Sequence, residues 1–568
     1  MKKVKYGKAV IKNLSNLGIF IHIITLSIAI FYFFFPANSF LYEILGYTLI
    51  SSWVLNGILI YTLDISLNKS VQIGKHLNKI SYYYLVLLIA SIILMVFGVI
   101  LSTYMISGIL LMLGNVMIII GFLITTIYGL HFCIVAYTNV STRGAWKVNK
   151  PKMLKYLKHF LRILCYMTLF VGIIFTLFLL IPIRSSLTFI ISYFLSQITG
   201  FLMFLYLPTT LLLLKLTQKK RFKNWNRVSI LVVGLSITIL NALPFMSVPI
   251  SIQTAENEFA MAYGSDWESQ IPQSAANYFL PTQFNLYNYY LGFPHRDCNF
   301  KTDILYYDDD GIKLYFDVFY PKGNVADLPG NGSIIIKIHG GGWQYGDKSL
   351  GNALVLSKYL ASQGYIVFDI QYGLFDSGYA SYIPTPDYVL GNFTLHDMVY
   401  QIGNFTKRLE TTYASRYGAN LNSAFIMGGS AGGQLTGVIG LGYNDPYFAG
   451  NFSNALKIKG IVPMYPPDFA PSYLLPGDEL SNPLAFEKFT PSNLADASDP
   501  PAIIYQGLRD DLVSLDNPIR IKNSLNNEGV DCLLLTFPFA AHASDFIIGN
   551  SFSQVWVYYL ERFFYLEQ

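Results

Sequence analysis

Along the first 250 residues the chain is apolar in long unbroken runs. A membrane-crossing helix needs about 20 mostly apolar residues. Seven runs meet that length, at 17–35, 41–63, 83–103, 107–137, 160–182, 187–216 and 228–250. The first is long enough to span and no A-x-A-like cleavage site follows it, so it reads as a span and not a cleaved signal. From residue 300 onward the pattern changes. Short apolar runs at Ser333–Ile338, Tyr365–Ile370, Ala424–Met427, Ile458–Met464, Ala502–Gln506 and Cys532–Phe537 alternate with helical stretches. Strands alternating with helices predict a mostly parallel sheet covered on both faces, with reactive groups gathered at the strands' carboxyl ends.

Charge sharpens the division. Residues 1–250 hold 22 Lys/Arg and 2 Asp/Glu, and residues 251–568 hold 17 and 32. Three regions are therefore expected: a transmembrane domain at 1–250, a juxtamembrane linker or cap at 251–299, and a catalytic domain at 300–568. The connecting segments alternate between basic and uncharged. Lys2 to Lys12, Lys69 to Lys79, Arg143 with five lysines, and Lys219 to Arg227 mark one side. Segments 36–40 and 104–106 carry no Lys or Arg, and 183–186 carries only Arg184. Basic loops stay cytoplasmic. The expectation is a cytoplasmic N-terminus, seven crossings and an extracytoplasmic C-terminal half. Polar residues inside the spans, among them His22, Asn56, Asn115, His131, Gln197 and Asn241, read as hydrogen-bonding groups between helices. No acidic pair lies at mid-depth to suggest a transport path. The four cysteines show no metal-binding spacing. Cys298 and Cys532 are expected at opposite edges of the sheet, as free thiols.

Four local patterns carry chemistry. Gly428-Gly429-Ser430-Ala431-Gly432 follows the run Ala424–Met427 and matches the nucleophile elbow, in which small neighbours let a serine sit on a strained strand-to-helix turn. Alone it is also compatible with an ordinary glycine-rich turn. His339-Gly340-Gly341-Gly342-Trp343 follows Ser333–Ile338. Its backbone N–H groups can form an oxyanion hole together with Ala431. A phosphate cradle is disfavoured, because neither G-x-G-x-x-G nor a following Lys-Ser/Thr is present. Asp510 follows the strand Ala502–Gln506, and His542 follows Cys532–Phe537. A histidine can take the serine proton while a carboxylate fixes its tautomer. The order Ser430, Asp510, His542 is the one used on this type of sheet.

With these motifs, residues 300–568 resemble the hormonesensitive-lipase-like branch of the α/β-hydrolases. His339 to Trp343 followed by Gly346-Asp347-Lys348 is most similar to small carboxylesterases, feruloyl and acetyl esterases, kynurenine formamidases and prenylcysteine methylesterases. The resemblance implies a Ser430–Asp510–His542 triad, with Gly341, Gly342 and Ala431 as the oxyanion hole and His339, Gly340, Gly428 and Gly432 supporting it. It also places the triad acid three residues after Gly507, which selects Asp510 over Asp511. Asp511 is expected to face solvent or begin the next helix. Gln371-Tyr372-Gly373-Leu374 departs from the Asp-Tyr-Arg-Leu that relatives often carry. No family resemblance is evident for the seven spans.

The expected protein is a membrane-bound serine carboxylic-ester hydrolase working through an acyl-enzyme. It needs no cofactor or metal, acts on a small-molecule or lipid ester, and has no nucleic-acid partner. An acyltransferase using the same triad, or a non-enzymatic receptor or adhesion module on the same scaffold, are the alternatives. Residues 251–299 and 465–498 each read equally as a cap over the site or as packed loops.

Overall fold

The computed structural model describes residues 2–34, 39–66, 73–104, 108–141, 155–181, 186–217, 224–293, 296–309, 311–350, 353–379, 383–477 and 482–568. Seven helices cover the apolar runs: α1 Lys2–Phe34, α2 Ser39–Ser66, α3 Ile73–Tyr104, α4 Gly108–Ser141, α5 Lys155–Leu180, α6 Ser186–Leu216 and α7 Asn224–Met246. Seven stretches, of 23 to 39 residues, are long and apolar enough to cross a bilayer, and the chain is a multi-pass membrane protein. Lys69, Arg143, Arg184 and Lys220, which contribute to the expected orientation, lie outside the described residues.

The chain groups into two compact units. One comprises Met1–Ile181, Phe194–Met246 and Asn285–Phe293, and the other Pro182–Tyr193, Ser247–Phe284 and Pro294–Gln568. In the first, large apolar side chains such as Phe20, Phe97, Ile119, Phe170 and Ile239 are exposed, as a lipid-facing surface requires. The polar residues in its spans mostly turn inward. His22 Nε2 and Asn56 Nδ2 meet at 3.0 Å between α1 and α2, and Asn241 donates to Thr176 at 2.9 Å between α7 and α5. His131 is exposed instead. The short helix Leu286–Leu291 also belongs here. Its Tyr289 hydroxyl donates to Gln197 O and accepts from Gly200 N, and Tyr290 donates to Gly200 O.

The second unit is built on an eight-stranded sheet. Its strands are β1 Asn299–Asp309, β2 Ile312–Tyr320, β3 Ser333–Ile338, β4 Ile366–Ile370, β7 Asn420–Gly429, β8 Ile458–Met464, β9 Ala502–Gly507 and β10 Cys532–Phe537, in the order β1-β2-β4-β3-β7-β8-β9-β10. A two-stranded pair, β5 Leu374–Phe375 and β6 Leu390–Gly391, lies apart from it. β1 and β2 form an antiparallel hairpin, β2 runs antiparallel to β4, and the other pairings are parallel. The hairpin was not among the apolar runs, because β1 (NFKTDILYYDD) is an edge strand with much of one face in solvent. β3, all of it buried, reads SIIIKI, the β-branched composition of an interior strand. Its Lys337 is tolerated because Nζ donates to Ser357 and pairs with Asp369.

α8, Val248–Tyr263, lies along the outer strand β10. Glu258 accepts from the Leu534 N–H and pairs with Lys522, which partly satisfies an edge that would otherwise be open to another strand. All four cysteines are free, with Cys298 and Cys532 beside strands at opposite edges.

Candidate active site

The register of the parallel strands decides what meets at their carboxyl ends. Ile338 lies opposite Gly428, Gly429 opposite Met464, Met464 opposite Tyr505, and Gly507 opposite Phe537. The loops carrying His339 to Trp343, Ser430, Tyr465, Asp510 and His542 therefore leave the sheet along one edge. Ser430 sits between β7 and the helix α12, Ala431–Leu441 (α9 to α11 being Leu286–Leu291, Ala353–Ser362 and Leu395–Arg408). It has φ 55° and ψ −121°, a conformation that strains a residue carrying a Cβ. The flanking glycines are required by close packing. A Cβ on Gly428 would lie 2.4 Å from Gly432 O, and one on Gly432 would lie 2.2 Å from Ile338 O.

His542 Nδ1–H donates to Asp510 Oδ2 at 2.7 Å. That carboxylate is acceptor-only when ionised, so the histidine's other nitrogen, Nε2, faces Ser430 Oγ as an acceptor at 2.9 Å. Asp510 Oδ1 accepts from Leu512 N at 3.0 Å and Val513 N at 2.8 Å, which fixes the carboxylate plane. The strained elbow at the centre of a mostly parallel sheet, with an aspartate and a histidine following in that chain order, identifies the architecture. The second unit has the α/β-hydrolase fold. This α/β-hydrolase unit joins all three expected side chains in one hydrogen-bonded line, with His542 in the middle.

The glycine loop is set against the same point. Gly341 and Gly342 take φ 126° and 62°, and a Cβ on Gly340 would lie 3.4 Å from the Ser430 Cβ. Among the described residues the N–H groups of Gly341 and Gly342 donate to no backbone or side-chain acceptor. Trp343, also at positive φ, is buried and donates through Nε1 to Gln434 Oε1 at 3.2 Å. Gln434 stands on the first turn of α12 and donates onward to Phe489 O. This link ties the glycine loop to α12, and the sequence reading did not anticipate it. His339 does not reach the triad. It stacks on Tyr372 at 4.5 Å with Nδ1 on Gly340 O, and burial holds it below the ordinary histidine value.

Three further residues complete the picture. Tyr465, the first residue after β8, packs edge-on to His542 at 4.7 Å and donates to Asp545 at 2.9 Å. Its position directly after a recognised strand was the available signal. Gln371, the departure from the family pattern, spends its side chain on the Tyr315 N–H and on Asp347 Oδ1. Asp511 corrects an expectation, for it is buried and lies before the next helix, α13, Asp516–Asn527. The reason is the turn at Asp510, whose bonds to Leu512 and Val513 fold the loop back on itself before the helix starts. Of the two segments read as caps or packed loops, 465–498 lies beside the glycine loop. There Tyr473 donates to Gly342 O at 3.4 Å and Phe469 packs against Trp343. Among residues 251–299, α8 lies against β10 and the C-terminal helix α14, Ser551–Glu567.

The sequence model of the prolyl oligopeptidase family matches residues 405–565. Two curated relatives from Mycobacterium tuberculosis are similar. The probable carboxylic ester hydrolase LipM is 26% identical over 274 residues, covering 45% of this chain and 59% of the relative. The esterase LipC is 24% identical over 276 residues, covering 45% and 62%. The chain thus spans about three fifths of the length of the curated relatives it matches. Among solved structures, an arylesterase is 19% identical, covering 48% of this chain and 87% of that chain at a TM-score of 0.34. Apo Thermogutta terrifontis esterase 2 is also 19% identical, covering 48% and 91% at 0.34.

Proposed function

We propose that the protein is a membrane-bound serine hydrolase of carboxylic esters. The observation that carries this is the continuous line from Asp510 through His542 to Ser430, at 2.7 and 2.9 Å. Ser430 Oγ attacks the acyl carbon while His542 Nε2 takes its proton. The resulting oxyanion is held by the N–H groups of Gly341, Gly342 and Ala431. As the ester C–O bond breaks, His542 returns the proton to the departing alcohol and leaves an acyl-Ser430. Water, deprotonated by His542, then releases the acid and restores the serine. Asp510 keeps His542 in the tautomer this requires. No step calls for a cofactor.

Residues 300–568 carry this chemistry, residues 1–250 hold it in the bilayer and 251–299 join the two. The alternation of loop charge supports an outer-face catalytic domain with the N-terminus inside. The His339 to Trp343 motif supports the hormone-sensitive-lipase-like branch. The family match over 405–565 favours a second reading, hydrolysis of peptide bonds by the same triad. A p-nitrophenyl ester series against matched peptide p-nitroanilides separates the two. Ser430→Ala is expected to lose roughly 10⁶ in kcat on esters and all labelling by an organophosphonate. Ester turnover that survives this substitution removes Ser430 as the nucleophile.

A further inference from the structure

While Ser430 carries its proton, two hydrogen bonds hold the His542 ring. Nδ1 donates to Asp510 Oδ2 at 2.7 Å, and Nε2 accepts from Ser430 Oγ at 2.9 Å. The second of these cannot outlast acylation, because an esterified Oγ has no proton to donate. The ring is then left with its bond to Asp510. The χ2 torsion of a histidine is soft, so one hydrogen bond leaves the imidazole room to swing. Deacylation nevertheless needs Nε2 in place to take a proton from water.

Tyr465 stands where a further hold is required. Its ring packs on the His542 ring with 4.7 Å between centroids and 63° between planes. The tyrosine is fixed in its turn. Its hydroxyl donates to Asp545 Oδ1 at 2.9 Å, three residues beyond His542 in the chain. Its ring meets Tyr505 at 5.9 Å, and its N–H donates to Tyr505 O at 2.7 Å. A Cβ on Gly429 would lie 2.5 Å from the hydroxyl oxygen, so this elbow glycine leaves the space that the phenol fills. Burial first, and then the Asp545 carboxylate, raise the hydroxyl well above the ordinary tyrosine value, which keeps it a donor. The Tyr465 backbone takes φ 38°, an outlier for a bulky residue. Strain of this kind persists only where the surroundings over-determine it, and it collects at functional sites.

Resting on the Ser430 reading above, we propose that Tyr465 is a positioning residue for the second half of the reaction, holding the His542 imidazole in line with Asp510 while Ser430 is acylated. Water adds its oxygen to the acyl carbon and gives a proton to Nε2. The acyl C–Oγ bond then breaks, the proton passes to Oγ, and the bond between Ser430 and His542 returns. In the first half of the reaction the Ser430 bond itself holds the ring, so acylation depends little on Tyr465.

The test follows p-nitrophenyl acetate on the full chain in detergent. The burst of p-nitrophenol gives the acylation rate, and the intact mass of quenched samples gives the decay of the acetyl-enzyme. Tyr465→Leu should slow that decay about tenfold, as loss of an aromatic pair implies, with acylation close to the wild type. In the steady state kcat and KM should fall together while kcat/KM holds. Tyr465→Phe keeps the ring, loses the tie to Asp545 and should slow the decay about threefold. Labelling by an organophosphonate stops at the covalent adduct, so its rate reports a folded site and should match the wild type in both variants. Equal slowing of acylation and decay in Tyr465→Leu, or a decay that does not change, overturns the inference and leaves Ser430 as nucleophile. If Tyr465→Leu no longer labels, Tyr465→Phe decides: the slower decay supports the inference and an unchanged one overturns it. A wild type that forms neither the acetyl nor the phosphonate adduct removes the Ser430 reading and the inference with it.

Discussion

The two adjacent carboxylates after β9 offer the sharpest test of the site. Asp510 Oδ1 is held by two backbone N–H groups, from Leu512 and Val513, and Oδ2 faces His542. In Asp510→Asn the amide oxygen should keep the two backbone donors, because the amide nitrogen cannot accept from them. The Nδ2 group is then turned toward His542 Nδ1, where two donors would meet. The imidazole relieves this by moving its proton to Nε2, which presents N–H to Ser430 and no longer serves as a base. A wrong tautomer of this kind lowers kcat by roughly 10⁴ with the fold intact, which is about 5 kcal/mol of transition-state stabilisation. The carboxylate that faces His542 Nδ1 is that of Asp510, so Asp511→Asn should leave kcat close to the wild type. Steady-state hydrolysis of p-nitrophenyl acetate measures both, with thermal unfolding as the control for folding. Retention of even roughly a tenth of the activity in Asp510→Asn would break the tautomer argument. A crippled Asp511→Asn beside an active Asp510→Asn would move the triad acid by one residue.

Three other outcomes are expected. Since all four natural cysteines are buried, Asn451→Cys should react with an impermeant maleimide on intact cells and Lys220→Cys should not; the reverse pattern inverts the orientation. Glu561 is buried and accepts from Leu280 N, Tyr359, Gln363 and Arg562, so Glu561→Leu strands these donors and should cost about 3–5 kcal/mol, read as a lower thermal midpoint in detergent. Burial, with Asp496 and Glu528 nearby, pushes Asp499 up to about 7 despite the Asp496 N–H that it accepts. The folded state therefore binds this proton more tightly than the unfolded chain, and stability from this group falls as pH rises from the ordinary carboxylate range to about 7. Asp499→Asn should accordingly raise the midpoint at pH 8, with the gain shrinking as pH falls toward 4; a gain that grows on acidification contradicts the sign.

The sequence by itself determined the spans, the inner strands and the candidate catalytic motifs. Each of these is written in local pattern: an unbroken apolar run of bilayer length, a short β-branched run between turns, a serine flanked by glycines directly after a strand. Chain order then marked Ser430, Asp510 and His542 as the candidate triad, since each follows its own strand. The hairpin β1–β2 escaped notice because an edge strand in solvent lacks an unbroken apolar run. Asp511 escaped because its burial depends on the turn that Asp510 makes with Leu512 and Val513. Only tertiary structure decided the contacts between residues far apart in the chain. Trp343 meets Gln434 because β3 and β7 are neighbours, and Tyr465 meets His542 because β8, β9 and β10 end on one edge. Tyr193 reaches Phe546 across more than half the chain. No local pattern encodes such pairings, because they follow from the order and register of strands, which are fixed by the packing of the whole sheet.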